Sequence, residues 1–289
     1  MNILVTGAGG QLGQELHRVV DEQSSKHSYY FCDRGELDLT DALALEAFLE
    51  AHTIDLIINA AAYTAVDRAE DEPAQADLAN HQAVATLARL AKLRNAFLIH
   101  ISTDYVFSGE AHTPYTEEAP TAPLGAYGQT KRLGEEAILA SGVRHQIYRT
   151  SWLYSVYGSN FVKTMHRLQK ERSELNVVFD QIGSPTWARD LVHFLYIVVE
   201  QERLEVQGIF HYSNEGVCSW YDLAEAVCRL TKANCRIHPI RTSEYPTRAK
   251  RPAYAVLDKA KLKETFGIEL PHWQTSLASC ITEIQSLTK

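Results

Sequence analysis

No apolar run in this sequence is long enough to cross a bilayer as a helix, which excludes a helical membrane protein. A basic excess is missing too. Asp and Glu outnumber Lys and Arg by 36 to 28, for a net charge of -8. That balance argues against a protein built to coat nucleic acid or an anionic membrane, although it leaves room for a local basic pocket. Cysteine is sparse: the five residues Cys32, Cys218, Cys228, Cys235 and Cys280 show no Cys-x-x-Cys pairing. Such a set suits reduced thiols and not a disulfide framework or a zinc site. No internal repeat or low-complexity tract is present. Met1-Asn2-Ile3-Leu4-Val5 runs straight into a strand pattern without a basic region and cleavage site. The expectation is a cytoplasmic protein that binds neither nucleic acid nor membrane.

What is present is ordinary in bulk and patterned in detail. The 289 residues are 45% hydrophobic and 22% charged, enough for one large domain with a smaller companion. Strand-like runs at Asn2 to Thr6, Tyr29 to Cys32, Leu56 to Asn59, Phe97 to Ser102 and Gln146 to Thr150 alternate with helical patterns. Those helical patterns cover Leu12 to Asp21, Ala42 to Ala51, Gln75 to Leu93 and Lys131 to Ala140. This alternation predicts an α/β, Rossmann-type, doubly wound parallel sheet covered on both faces. The rhythm loosens after Trp152. A strand over Leu175 to Phe179, a helix over Trp187 to Glu200 and a strand over Gly208 to Tyr212 follow. Then come a helix over Asp222 to Leu230, a loop-rich stretch from Pro239 to Pro252 and a last helix after His272. The expected organisation is a dinucleotide-binding domain over 1–150 and a smaller, mainly substrate-binding α/β domain over 151–289. Segments around 186–212 return to the first.

Glycines at Gly7, Gly10 and Gly13 stand between the first strand and the first helix. Gly7 permits a tight turn, Gly10 lets backbone approach a pyrophosphate, and Gly13 lets helix and strand pack closely. The helix start then offers free N–H groups and partial positive charge to phosphates. At the end of the second strand, Asp33 suits the ribose of NAD, whereas Arg34 suits the extra phosphate of NADP. Both are present, so the choice between NADH and NADPH stays open. Ala60, Ala61 and Ala62 end the third apolar strand, where small side chains suit a flat cofactor lying on backbone or, equally, tight helix–sheet packing.

Tyr127 and Lys131 lie four residues apart, which sets both on one helix face. An ammonium there favours a phenolate and makes the tyrosine a usable acid or base. Thr103, just past an apolar strand, faces the ligand crevice of such a sheet and can hydrogen-bond a substrate carbonyl. Thr103, Tyr127 and Lys131 are the candidate catalytic residues.

In this order these motifs resemble the extended short-chain dehydrogenase/reductase superfamily, and within it the dTDP-4-dehydrorhamnose reductase family. The stretches carrying the resemblance are Asn59 to Asp67, Ser102 to Phe107, Arg149 to Tyr154, Asn160 to Met165, Asp180 to Thr186 and Arg251-Pro252. The resemblance implies reduction of the 4-keto group of dTDP-4-dehydro-L-rhamnose with NADPH or NADH, the last step of dTDP-L-rhamnose synthesis, which feeds polysaccharide assembly. It implies that Val66, Asp104, Tyr105 and Trp152 line the deoxysugar and that Asn160 and Arg251 lie near the nucleotide diphosphate. Gln11, Leu12, Asp38 and Leu39 complete the cofactor set. Related dehydratases carry a glutamate after the aspartate; here Tyr105 follows Asp104, which favours simple reduction. A 4-epimerase or another nucleotide-sugar 4-reductase, and a non-catalytic NADP-binding regulatory protein, are the alternatives.

The sequence also departs from the family. Some members dimerise through magnesium held by glutamates. Glu15 matches one such position, but Arg189 stands at another, so the expectation is no structural metal and a monomer, with a dimer the alternative. Ala255 replaces a serine common three residues after the Arg-Pro pair.

Overall fold

Apolar strands become a sheet buried on both faces, and the helices between them cover it. The computed structural model describes residues 1–287. It opens with β1 (Asn2–Thr6), α1 (Gln11–Gln23), β2 (Ser28–Cys32), α2 (Ala42–Ala51) and β3 (Leu56–Asn59). Then follow α3 (Val66–Asp71), α4 (Pro73–Asp77) and α5 (Ala83–Leu93), the last two joined through a π-helical turn over Leu78–Gln82. Next come β4 (Phe97–Thr103), α6 (Ala126–Ser141), β5 (His145–Thr150), β6 (Leu153–Tyr154), α7 (Phe161–Glu171) and β7 (Glu174–Val178). The chain continues with β8 (Ile182–Gly183), β9 (Thr186–Trp187), α8 (Ala188–Glu200), β10 (Gly208–Tyr212), β11 (Cys218–Ser219) and α9 (Trp220–Thr231). It ends with β12 (Arg236–Ile240), α10 (Ala260–Phe266) and α11 (Trp273–Leu287).

Six parallel strands form the main sheet in the order β10-β5-β4-β3-β1-β2. The period of two along each strand divides its side chains between two cores. Ile3, Val5, Ile58, Phe97, Ile99 and Tyr148 face α1, α8 and α10. Leu4, Ile57, Leu98 and Ile147 face α2, α5 and α6. Strand direction of build reverses between β1 and β3, and a crevice opens there at the carboxyl ends of the strands. A separate core gathers Tyr154, Val162, Met165, Leu175, Leu223, Val227, Leu277 and Ile281 from the later chain. α8 packs on the main sheet and β10 pairs with β5. Among the described residues no helix is long and apolar enough to cross a membrane, and all five cysteines are buried free thiols.

Three sequence expectations need correction. The helix expected from Lys131 begins at Ala126. Its first amide donates to Glu70 Oε1 at 2.8 Å, so a carboxylate from α3 caps it, a long-range partner that no local pattern reveals. The helix expected over Gln75 to Leu93 starts two residues earlier, at Pro73, and is broken by the π turn. Pro239 lies in strand β12, paired with β7, not in a loop. The pair stands alone as a two-stranded sheet, so the missing N–H sits on an edge where it leaves no partner unpaired.

Candidate functional site

The loops after β1, β2, β3, β4 and β5 converge on one crevice of about 1640 Å³. At its first wall Gly7 has φ +73°, and a Cβ there would lie 2.6 Å from the Ala61 nitrogen, so only glycine fits. Gly13 packs against Gly7 and Ala8. Gly10 caps α1 in extended conformation without a side-chain cap, and no acidic residue occupies the first turn. Gln11 and Leu12 at this helix start line the crevice, a setting that suits an anion. Asp33, Arg34, Asp38 and Leu39 line the wall after β2, and Ala60, Ala61 and Ala62 the wall after β3. Asp33 Oδ1 already accepts from Gly35 N at 2.7 Å and Glu36 N at 3.2 Å. Arg34 is 79% exposed and reaches Asp38 at 3.1 Å, so it can turn toward an added phosphate at little cost. Hydrogen bonds from Thr40, ahead of Arg34, hold the Asp38 carboxyl below its usual range.

The chemistry-bearing wall comes from β4 and α6. Thr103 Oγ1 donates to Asp104 Oδ1 at 2.9 Å and accepts from Tyr105 N at 3.2 Å. Asp104 is 2% exposed, and its Oδ2 has no partner. Burial, opposed by the Thr103 hydrogen bond, pushes its carboxyl up to about 7. Tyr127 and Lys131 both line the crevice from α6, one turn apart. Burial pushes the Tyr127 phenol up to about 12, a hydrogen bond with Thr103 pulls it down, and Asp104 pushes it up. The lysine is directed elsewhere, to His100 Nε2 at 3.1 Å and the Ile101 carbonyl at 2.7 Å, and burial pulls it down to about 8.

Long-range contacts brace this wall. Ser102 Oγ donates to Glu135 Oε1 at 2.5 Å. Arg149 grips the same carboxylate from Nε at 3.0 Å and from Nη2 at 2.7 Å, and its guanidinium lies 5.1 Å above the Phe107 ring. The π turn sets Asn80 between the β3 loop and α6. Its side chain accepts from Tyr63 N at 2.8 Å and donates to Thr130 Oγ1 at 3.2 Å.

The residues expected at the deoxysugar and those expected near the nucleotide diphosphate divide. Val66, Asp104, Tyr105 and Trp152 line the crevice. Tyr105 meets Tyr127 edge-on at 5.4 Å, where the dehydratases would have an acid. Trp152 adopts φ +48°, a conformation rare for a bulky residue. Its ring stacks on Trp220 at 3.6 Å, and a Cβ on Gly183 would lie 2.7 Å from it. Asn160 and Arg251 are outside the crevice lining. Asn160 caps α7, its Oδ1 accepting from Lys163 N at 3.0 Å, and its Nδ2 donates to Gln11 Oε1 at 2.9 Å. Arg251 pairs with Asp67 at 2.7 Å. Ala255 is buried and hydrogen-bonds the Ile182 carbonyl through its amide at 2.7 Å. Sequence reading missed His100, Asn80, Glu135 and Trp220; a histidine inside an apolar strand was the one local sign.

Glu15 is wholly buried. It accepts from Ser155 Oγ at 2.6 Å and has Arg189 at 3.9 Å. Arg189 also meets Glu22 at 2.5 Å and Glu283 at 3.9 Å, so a guanidinium neutralises this acidic group. Among the described residues no three His, Cys, Asp or Glu side chains gather as a metal site.

Comparison with known proteins turns this geometry into a family assignment. The model of the RmlD substrate binding domain matches residues 1–286. The chain belongs to that family. It is 40% identical to the dTDP-4-dehydrorhamnose reductase of Burkholderia thailandensis, over 99% of this chain and 100% of that one. The structure of a dTDP-4-dehydrorhamnose reductase from Clostridium acetobutylicum superposes with TM-score 0.94 at 40% identity, covering 99% of this chain and 100% of the other. The Bacillus anthracis dTDP-4-dehydrorhamnose reductase in complex with NADP superposes with TM-score 0.92 at 35% identity, over 98% of this chain and 99% of that one. The family and these neighbours agree with the doubly wound α/β fold expected from the sequence.

Proposed function

We propose that the chain is an NAD(P)H-dependent nucleotide-sugar 4-ketoreductase. It reduces dTDP-4-dehydro-L-rhamnose to dTDP-L-rhamnose, the last step of dTDP-L-rhamnose synthesis. The observation that carries this reading is one crevice lined by the glycine turn, Thr103, Tyr127 and Lys131, in a chain collinear with reductases of that name. The residues present fit a dinucleotide. Gly7 and Gly13 let the turn, α1 and the β3 loop pack closely, the α1 start has no side-chain cap and no acid, and Ala60 to Ala62 keep the floor low. The reduced nicotinamide supplies the hydride when bound.

The chain's own groups supply the rest. The Thr103 hydroxyl orients the substrate carbonyl, and Tyr127 holds the proton that the carbonyl oxygen must receive. A phenol with its pKa pushed up to about 12 stays protonated at neutral pH, which suits a donor. Trp152, backed by Trp220, closes the sugar end with an apolar face. Arg34 beside Asp33 favours NADPH over NADH, because Asp33 is occupied by its own turn while Arg34 is free to move.

Tyr127→Phe tests the assignment. It should bind NADPH as the wild type does, by fluorescence titration, while turnover on dTDP-4-dehydrorhamnose falls on the order of a hundredfold or more. Wild-type turnover in that variant would refute the proton-donor role. If wild-type protein consumes no reduced nicotinamide with any keto-sugar, a non-catalytic cofactor-binding protein is the better reading.

A further inference from the structure

Below the crevice a line of buried polar groups crosses β1, β3, β4 and α6, and its donor–acceptor order can be worked out link by link. Thr6 Oγ1 donates to Asn59 Oδ1 at 2.8 Å. The Ala61 backbone N–H donates to the same oxygen at 3.1 Å. A backbone amide only donates, so that atom of Asn59 is the oxygen. Its amide nitrogen therefore faces His100 Nδ1 at 3.0 Å, and His100 Nδ1 must accept. A neutral imidazole has one N–H, which is then on Nε2, the atom 3.1 Å from Lys131 Nζ. Two N–H donors cannot share that contact. Lys131 accepts there as an amine and donates to the Ile101 carbonyl at 2.7 Å. Thr6, Asn59, His100 and Lys131 are each no more than 1% exposed, so these groups must satisfy one another.

We propose that Asn59 and His100 are positioning residues that hold Lys131 as a neutral amine in the cofactor-free protein, and that protonation of Lys131 breaks its link to His100. The consequence for turnover rests on the reductase reading: the ammonium becomes available to the crevice only by leaving the imidazole. Burial acts in the same direction. It pulls Lys131 down to about 8, so the amine link is the state reached above that pH, and it holds His100 well below its usual range. On α6, Tyr127 lies one turn before Lys131 and lines the same crevice, and Glu135 lies one turn after it. Glu135 alone favours the ammonium, and Arg149 occupies both of its oxygens.

Nitrogen NMR of histidine-labelled, cofactor-free protein tests this, with His100→Gln assigning the signal. Wild type should show His100 as the neutral Nε2–H tautomer from about pH 6 to about pH 9. An Nδ1–H tautomer or an imidazolium would overturn the proposal. Asn59→Asp replaces the donor with an acceptor, so it should flip His100 to Nδ1–H and let Nε2 accept from a Lys131 ammonium. The Lys131 limb of the kcat/KM profile for the reduced nicotinamide, which reports the free enzyme, should then move up by about one pH unit. If the tautomer flips and the limb stays put, the link from His100 to Lys131 is refuted while the reductase reading stands. If the wild-type tautomer is Nε2–H but no keto-sugar is reduced, the reductase reading fails and the hydrogen-bond order stands.

Discussion

Replacing Asp104 with asparagine should reshape the pH dependence of stability in a way that isolates one carboxyl. Asp104 is 2% exposed, and burial pushes it up to about 7. In the unfolded chain an aspartate titrates at about 3.9. Below that value both states carry the proton. Between about 3.9 and about 7 the unfolded chain gives up its proton while the folded protein keeps it, so folded stability falls as pH rises. Above about 7 the loss levels off. At 1.36 kcal/mol per pK unit the whole span is worth roughly 4 kcal/mol, and about half that where crevice solvent screens the charge. Asp104→Asn removes this slope. Its amide oxygen can still accept from Thr103, so the Thr103 contact survives. The variant should thus gain on wild type as pH rises, by roughly 3 to 6 °C in Tm at pH 8 relative to pH 4, given about 2.1 cal/mol/K of unfolding entropy per residue. Other buried acids raised by desolvation, such as Glu117 and Asp190, are common to both proteins and cancel in the difference. Paired thermal unfolding scans across that range measure it. A Tm difference that does not change with pH would refute the buried, protonated carboxyl.

Two further substitutions probe the brace and the cofactor wall. Glu135→Gln leaves the Arg149 guanidinium buried, with a side chain 4% exposed, and without its counter-charge. It should cost about 3–5 kcal/mol in urea unfolding, and a cost under about 1 kcal/mol would show that the pair is not what holds Ser102 and α6 together. Arg34→Ala should raise the Kd for NADPH roughly 10- to 100-fold and leave NADH within about twofold, since one charge-assisted phosphate contact is worth about 1.5–3 kcal/mol; equal losses for both cofactors would remove Arg34 from the phosphate.

Much of the fold was legible because it is written in local periods. Runs such as Leu56-Ile57-Ile58 can only be strands covered on both sides, and their alternation with amphipathic helices implies parallel order. Gly13 was legible because its missing Cβ matters to the turn just before it, whereas the close neighbour of Gly7 is Ala61, far along the chain. The rest needed the third dimension. α6 starts at Ala126 because Glu70 caps it from α3, and β12 contains Pro239 because β7 is its one neighbour. Trp220 reaches the crevice through its stack on Trp152.

The sequence alone determined the sheet, the glycine turn and the presence of Thr103, Tyr127 and Lys131 in one chain, since spacing and side-chain period are local properties. It did not determine their charge states. Tyr127 and Lys131 share a helix face, as four-residue spacing requires, yet burial and the Thr103 and Asp104 neighbours govern the phenol, while His100, held by Asn59, engages the lysine. Desolvation and donor–acceptor order arise when distant strands meet, and only the tertiary structure decided them.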